Sequence, residues 1–296
     1  MKIDKQKPTS AGKRHARRLS FQVQSFLPED KLERIRASLS KKLTYSAGRN
    51  NHGKRTMRTK GGQAKRKYIE IDFSRDKRNI AATVVAIEYD PNRTAHIALL
   101  KYEDGEYRYI LAPDKLELGD KVIASEELQE ITAGNAYPLE QIPPATFIHN
   151  IELTPGKGAV LGRSAGVSIQ LQGKAGKGYV QVKLPSGEIR LVKGECYATI
   201  GTVGNLEHSN QKLGKAGVNR NKGKKPTVRG VAQSYKHPHA GGQGKSGRTG
   251  TGGPSKDPWG NKRGVITRRR KNTNKYIIKR RTSKLRPRNK KYKTLV

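Results

Sequence analysis

His237 and His239, set in His237-Pro-His-Ala-Gly-Gly-Gln-Gly-Lys245, have the residue type and spacing that invite a metal or a proton-transfer role. The ligands for a zinc site are missing: the chain has one cysteine, Cys196, and the carboxylate nearest these histidines is Asp257. An imidazole among glycines and cations suits donation to a phosphate or a 2′-hydroxyl, or stacking on a base. Gly173-Lys-Ala-Gly-Lys-Gly178 has the composition of a phosphate cradle, but no helix follows it, so it reads as a strand-to-strand turn. Glu103, Asp104, Glu106, Glu126 and Glu127 lie in turns or polar stretches and read as solvated faces. Cys196 sits among strand residues and reads as a core thiol. No nucleophile stands beside a base, so the sequence predicts no enzyme and no catalytic residue.

The chemistry that remains is cationic, and it is sorted along the chain. Residues 1–67 carry 20 Lys+Arg against 4 Asp+Glu, and residues 208–296 carry 27 against one, Asp257. The intervening 140 residues carry 15 against 19, within a net charge of +38. A near-neutral body with two basic arms suits wrapping a large polyanion, with nucleic acid the obvious candidate. In the C-terminal arm, Pro226-Thr-Val-Arg-Gly-Val-Ala232 precedes the histidines, and Gly occurs 13 times between Gly214 and Gly264. A backbone without Cβ can lie flush on a sugar-phosphate chain while Arg229 and Lys245 supply charge. Arg268-Arg269-Arg270-Lys271 and Lys279-Arg-Arg281 add charge without sequence readout. In the N-terminal arm, Arg49, Lys60 and Lys65 lie in loops of Gly, Asn and basic residues.

These residues need a scaffold, and the sequence predicts a mostly β one. Residues 1–67 form a basic extension with one helix near 29–43, where Leu32, Ile35, Leu39 and Leu43 recur at three- and four-residue spacing behind Glu29 and Asp30. Strands are expected at 80–89, 94–102 and 107–111, then at 147–153, 167–172, 179–184, 189–192 and 197–200. Short strands joined by tight turns without helices indicate two small barrels, at 68–136 and 137–205. Residues 206–296 form a Gly-rich basic extension. The arms lack the aliphatic density to offset their ordering entropy and are expected to order only on a partner. A lone cysteine suits a reducing compartment, and no apolar run approaches a membrane span or signal peptide.

Taken together the segments resemble the uL2 family of large-subunit ribosomal proteins, in its bacterial type. The resemblance rests on Lys7-Pro-Thr-Ser10 with Arg14-His15, Gly48-Arg-Asn-Asn51, Ile71-Asp-Phe73, and Glu88-Tyr-Asp-Pro-Asn-Arg93. Arg108-Tyr-Ile-Leu-Ala-Pro113, Pro155-Gly-Lys-Gly158, Arg163-Ser-Ala-Gly166, Leu213-Gly-Lys-Ala-Gly217 and Arg229-Gly230 extend it. It implies an OB-fold barrel followed by an SH3-like barrel, and arms threaded into large-subunit rRNA. It further implies neighbouring ribosomal proteins and the small subunit as partners, a role in subunit association, and support of the peptidyl-transferase region. Arg75, Arg93 and Arg163 match positions expected to contact rRNA, and His237 matches the family histidine near the catalytic centre. Peptidyl transfer there belongs to the RNA.

The implied location is the ribosome of the cytoplasm or of an organelle. No cofactor is expected, rRNA-associated Mg²⁺ being the one ion the reading leaves room for. Residues 1–26 have the basic, acid-poor character of a transit peptide, but Lys7-Pro-Thr-Ser10 belongs to the mature family pattern. Gln233-Ser-Tyr-Lys236 replaces the family's Met-Asn-Pro-Val-Asp, Ala240 a glycine, and Gln63-Ala64 a Gly-His pair. These departures, and the insert carrying the helix, suggest a divergent lineage or an organelle-encoded copy. A nucleic-acid compactor and an RNA-modifying enzyme are the competing classes. The first seldom needs two barrels, and the second needs a set of titratable groups the sequence lacks.

Overall fold

The computed structural model describes residues 3–228, 232–233, 259–262 and 272–281. They fall into two units: one holds the described parts of 1–43, 65–215 and 273–296, the other those of 44–64 and 216–272.

In the first unit, β1 (Ile3–Lys5), α1 (Ala11–Arg14) and β2 (Arg17–Leu19) make a small antiparallel hairpin, Ile3 opposite Leu19. The Ser10 hydroxyl caps α1 by accepting from the Lys13 amide. Next come β3 (Gln24–Ser25), α2 (Glu29–Ser38), β4 (Ser40–Lys42) and β5 (Lys67–Ile69). The helix near 29–43 is therefore shorter than its leucine spacing predicts. The Ser38 hydroxyl donates back to the Ile35 carbonyl at 2.8 Å and the Ser40 hydroxyl to that of Ala37 at 3.1 Å, so the last turn closes on itself. The chain then pairs as β4 with β5, and Leu43 is left exposed. Leu32, Ile35 and Leu39 do face a core, formed with Ile69, Val85, Ile97, Leu99 and Tyr109. Burying one such side chain stabilises by about 1.5–3 kcal/mol. Residues 24–42 thus fold on this chain's own barrel, contrary to the expectation of an arm ordered only by its partner.

The first barrel, of the OB type, contains β6 (Ala82–Glu88), β7 (Ile97–Tyr102), β8 (Tyr107–Leu111) and β9 (Lys121–Val122). The antiparallel order is β3-β6-β7-β8, with β9 on the end of β6. Both faces of β6 are covered. Ala82, Val84 and Ile87 face a core with Leu100, Tyr102, Ile110 and Val122, while Val85 and Ala86 face α2. That explains an apolar run without alternation. A register shift between Val84 and Ala86 marks a bulge.

The SH3-like second barrel follows: β10 (Ala136–Pro138), β11 (Phe147–His149), β12 (Ile151–Glu152), β13 (Ala159–Leu161), β14 (Ile169–Gly176), β15 (Tyr179–Lys183), β16 (Ile189–Lys193) and β17 (Tyr197–Ile200). Its sheet runs β10-β17-β11-β14-β15-β16, extended at the β16 edge by β18 (Ile277–Lys279). β10 straddles the boundary placed between residues 136 and 137 and pairs with β17. The core is Tyr137, Leu139, Ile148, Ile151, Ile169, Leu171, Val180, Val182, Val192, Cys196 and Ile200. Gly173–Gly176 lie within β14, and only Lys177 and Gly178, at φ 51 and 71, make the turn to β15. The segment is strand and hairpin, not a phosphate cradle.

The second unit contains the loop 44–64 and α3 (Ala216–Asn221). Backbone bonds stitch the two together: Gly61 N–H to Gly223 O at 3.1 Å, Ala64 N–H to Asn221 O at 3.0 Å, and Lys225 N–H to Thr59 O at 2.9 Å.

Candidate nucleic-acid interface

On the first barrel, a group of cations is matched by acids. Lys77 meets Asp104 and Glu106, Arg78 meets Glu126, and Arg108 meets Asp72, Asp76 and Glu106. Burial works against the Arg108 charge, but the hydrogen bonds it donates to Asp76, Glu106 and Asp72 raise its pKa above the ordinary value. Asp104, Glu106 and Glu126 are thus ion-pair partners rather than merely solvated acids.

Arg93 donates to Asp90 at 2.5 Å and to the Ile69 carbonyl at 3.3 Å, and its side chain is 14% exposed. Its guanidinium lies 5.9 Å from the Phe73 ring and that of Arg163 lies 4.5 Å from it. One aromatic ring therefore gathers two of the arginines expected to contact rRNA, of which Arg163 is exposed. Arg75 is different. It sits at φ 50 with its amide on Asp72 at 2.7 Å, and it is 3% exposed. Within this chain Arg75 presents almost no surface, because the Asx-type turn at Asp72 folds it inward.

In the second unit, residues 46–57 form a self-bonded basic loop. The Asn50 side-chain oxygen accepts from the amides of His52 and Lys54 at 3.1 and 2.9 Å, and Arg49 donates to the Gly53 carbonyl at 3.0 Å. Gly48 is required here: at φ 76, a Cβ would lie 2.5 Å from the Met57 carbonyl oxygen. The loop exposes Arg49, Lys54 and Arg55, and the stitch beyond it brings Lys60 opposite Lys224. Lys65, in the first unit, is exposed as well. Among the described residues none of these side chains has a carboxylate at salt-bridge distance.

Several cross-strand pairs in the arms set like charges opposite one another. Lys5 stands opposite Arg17, Arg17 opposite Lys212, Lys42 opposite Lys67, Arg49 opposite Arg55, and Lys60 opposite Lys224. Cross-strand neighbours lie about 4.5–5.5 Å apart at Cβ, where like charges destabilise the pair. Lys5, Arg14, His15, Arg17 and Lys212 also line a cleft of about 270 Å³. In the barrels the described strands place no basic residue opposite another. Among the described residues, cross-strand repulsion between basic side chains is found in the arms, where a polyanion would relieve it.

Arg229, His237, His239, Lys245, Arg268, Arg269 and Arg270 lie outside the described residues. Among those described, no three His, Cys, Asp or Glu side chains gather as a metal site. Cys196 is fully buried, and burial with Glu152 nearby pushes its thiol up to about 11. Sequence reasoning missed Arg17, Lys212 and Lys224, whose roles come from pairing between distant segments. It also missed the buried carboxylates. Glu152 accepts from the amides of Gly158 at 2.8 Å and Tyr197 at 3.1 Å, and Glu88 from Arg36 and Tyr109.

Residues 36–124 match the family model of the RNA-binding N-terminal domain of ribosomal proteins L2, and residues 132–260 match that of their C-terminal domain. The chain belongs to the ribosomal protein L2 family. Among similar curated proteins is the large ribosomal subunit protein uL2 of Paracoccus denitrificans (strain Pd 1222), 54% identical over 249 residues, 83% of this chain and 88% of the relative. The protein of the same name from Ruegeria sp. (strain TM1040) is 54% identical over 239 residues, 80% of this chain and 83% of the relative.

Proposed function

We propose that this chain is a structural constituent of the large ribosomal subunit that binds rRNA. The observation that carries the reading is the sorting of charge: a near-neutral body between two strongly basic arms, whose described strands set several cations opposite one another. Phosphates placed between such cations would turn repulsion into attraction and release counterions. Arg49, Lys60, Lys65, Arg93 and Arg163 act at that interface, and Arg229, His237, His239, Lys245 and Arg268–Arg270 extend it. Arg75 supports it from within. The finer part of the proposal is that the chain contacts neighbouring proteins and the small subunit, and supports the peptidyl-transferase region of a cytoplasmic ribosome without performing the chemistry. Sucrose-gradient sedimentation of the tagged chain from its native cell, before and after a high-salt wash, tests the main reading. Migration with the large subunit through the wash is expected. Migration as free protein, or with DNA, would overturn it.

A further inference from the structure

Where the two barrels meet, a cleft of about 640 Å³ is lined by Ser20–Gln22 and Gln24, by Ile87 and His96, by 112–116 after β8, and by 204–207 after β17. That size falls within the range of roughly 300–1,000 Å³ that holds small planar ligands. The junction is firmly laced. Gly204 N–H donates to Ala112 O at 3.0 Å, Asp114 N–H to Thr202 O at 2.8 Å, and the Asn205 side-chain amide to Thr94 O at 2.7 Å.

Two buried groups in the lining lack partners. His96 is 4% exposed and neither ring nitrogen has a hydrogen-bond partner; Asn205 is 8% exposed and its Oδ1 has none. Such groups are costly to bury unless something answers them. Burial, aided by His208, brings the His96 pKa down to about 4, so the ring is neutral near pH 7 and offers one donor and one acceptor. The Phe21 ring stacks on His96 at 4.0 Å and 11°, and Ile87, Pro113, Leu116 and the exposed Leu206 supply apolar surface. Charge in the lining is mixed, Lys115 beside Asp114 and Glu207, unlike the arms. A phosphate would find no cationic excess here. A flat heterocycle with a polar edge would find aromatic surface, one donor and two acceptors.

We propose that this cleft seats an unpaired amino-bearing nucleobase of RNA, adenine or cytosine, read at its edge by His96 and Asn205. On these bases an exocyclic amine lies beside a ring-nitrogen acceptor, matching an acceptor and a donor in the wall. The proposal rests on the rRNA-binding reading and names a base where that reading names phosphates. A free nucleotide carries the same chemistry, and the test separates the two sources.

Dimethyl sulfate methylates unpaired adenine N1 and cytosine N3, the atoms that would face the imidazole. Large subunits are probed with the wild-type chain and with His96→Phe, which keeps a stacking ring but removes both nitrogens, or Phe21→Leu, which keeps apolar volume but removes the stack. One adenine or cytosine should become about fivefold more reactive in both variants, the factor for losing one hydrogen bond of ordinary worth. Sedimentation of the same subunits shows whether the chain is incorporated, so failure of the ribosomal reading is seen separately. In a second arm, equilibrium dialysis of the free full-length wild-type chain at high salt compares AMP with UMP and needs no variant. AMP preference without any change in rRNA probing would keep the base site and assign it to free nucleotide. No altered rRNA base and no AMP preference would mean that water alone answers His96 and Asn205, and would overturn the proposal.

Discussion

Glu88 is a carboxylate with no exposure, tolerated because Arg36 and Tyr109 reach it, at 2.6 and 2.9 Å. Arg36→Leu should lower the stability of the free chain by on the order of 1–3 kcal/mol, because a buried charge loses its cationic partner. Glu88→Gln, which removes the charge with its need, should cost less. Urea unfolding checks the ranking, and it fails if Arg36→Leu unfolds at the wild-type midpoint. His149 is buried at 1% exposure, with its Nδ1 2.8 Å from the Gly201 carbonyl. Burial, the largest cause, brings its pKa down to about 4, against 6.5 in the unfolded chain. Between pH 6.5 and 4 the unfolded state therefore binds more protons. The His149 contribution is full above pH 6.5 and is lost as pH falls towards 4, by up to about 1.4 kcal/mol per pH unit. Thermal melting between pH 7.5 and 4.5 should show this decline; a flat profile through that window would contradict the buried neutral imidazole.

The loop 46–57 is held by backbone geometry more than by burial, so glycine substitutions separate strain from clash. Gly48 and Gly53 both have positive φ, 76 and 73, but a Cβ on Gly48 would meet the Met57 carbonyl whereas one on Gly53 would meet nothing within 4 Å. Gly53→Ala should cost about 1–2 kcal/mol of loop order, from left-handed strain alone. Gly48→Ala should cost more and weaken rRNA binding further, as filter binding at fixed salt would show. Equal affinities for the two variants would mean that this loop is not held in the bound form described. The longer strands of both barrels were legible because apolar runs, two-residue alternation and turn residues are local signals. The short β9, β10 and β13 were not, and β9 and β10 pair only across the fold. The end of α2 was not, since leucine spacing continues to Leu43 while two serine hydroxyls close the helix at Ser38. Arg49, Lys60 and Lys65 could be read from composition. Their opposition to Arg55 or Lys224, and the inward turn of Arg75, depend on contacts across the fold. The cleft lined by His96 escaped for the same reason, its walls coming from segments far apart in the sequence.

Charge in the whole molecule is divided between cations spent inside the protein and cations left for a partner, and salt dependence distinguishes them. Each phosphate neutralised contributes roughly 0.7–0.9 to the log–log slope of affinity against salt. Lys60 has no carboxylate partner among the described residues and stands opposite Lys224. Lys60→Gln should reduce the slope by about one such increment while weakening binding across sequences. Lys77 is matched by Asp104 and Glu106, whose hydrogen bonds raise its pKa. Lys77→Gln should leave the slope at its wild-type value, because removing a neutralised cation releases no extra counterion from the RNA. The same logic predicts which parts survive protease without RNA. Residues 24–42 share the first barrel's core, so mild trypsin should leave a fragment that retains α2, not one beginning near residue 68. Mass spectrometry of the limit digest reads that boundary directly. A wild-type slope below about 3 would be too few phosphates for arms that wrap. Equal slope changes for Lys60→Gln and Lys77→Gln would show that the division of charge seen in the fold does not govern how the chain meets RNA.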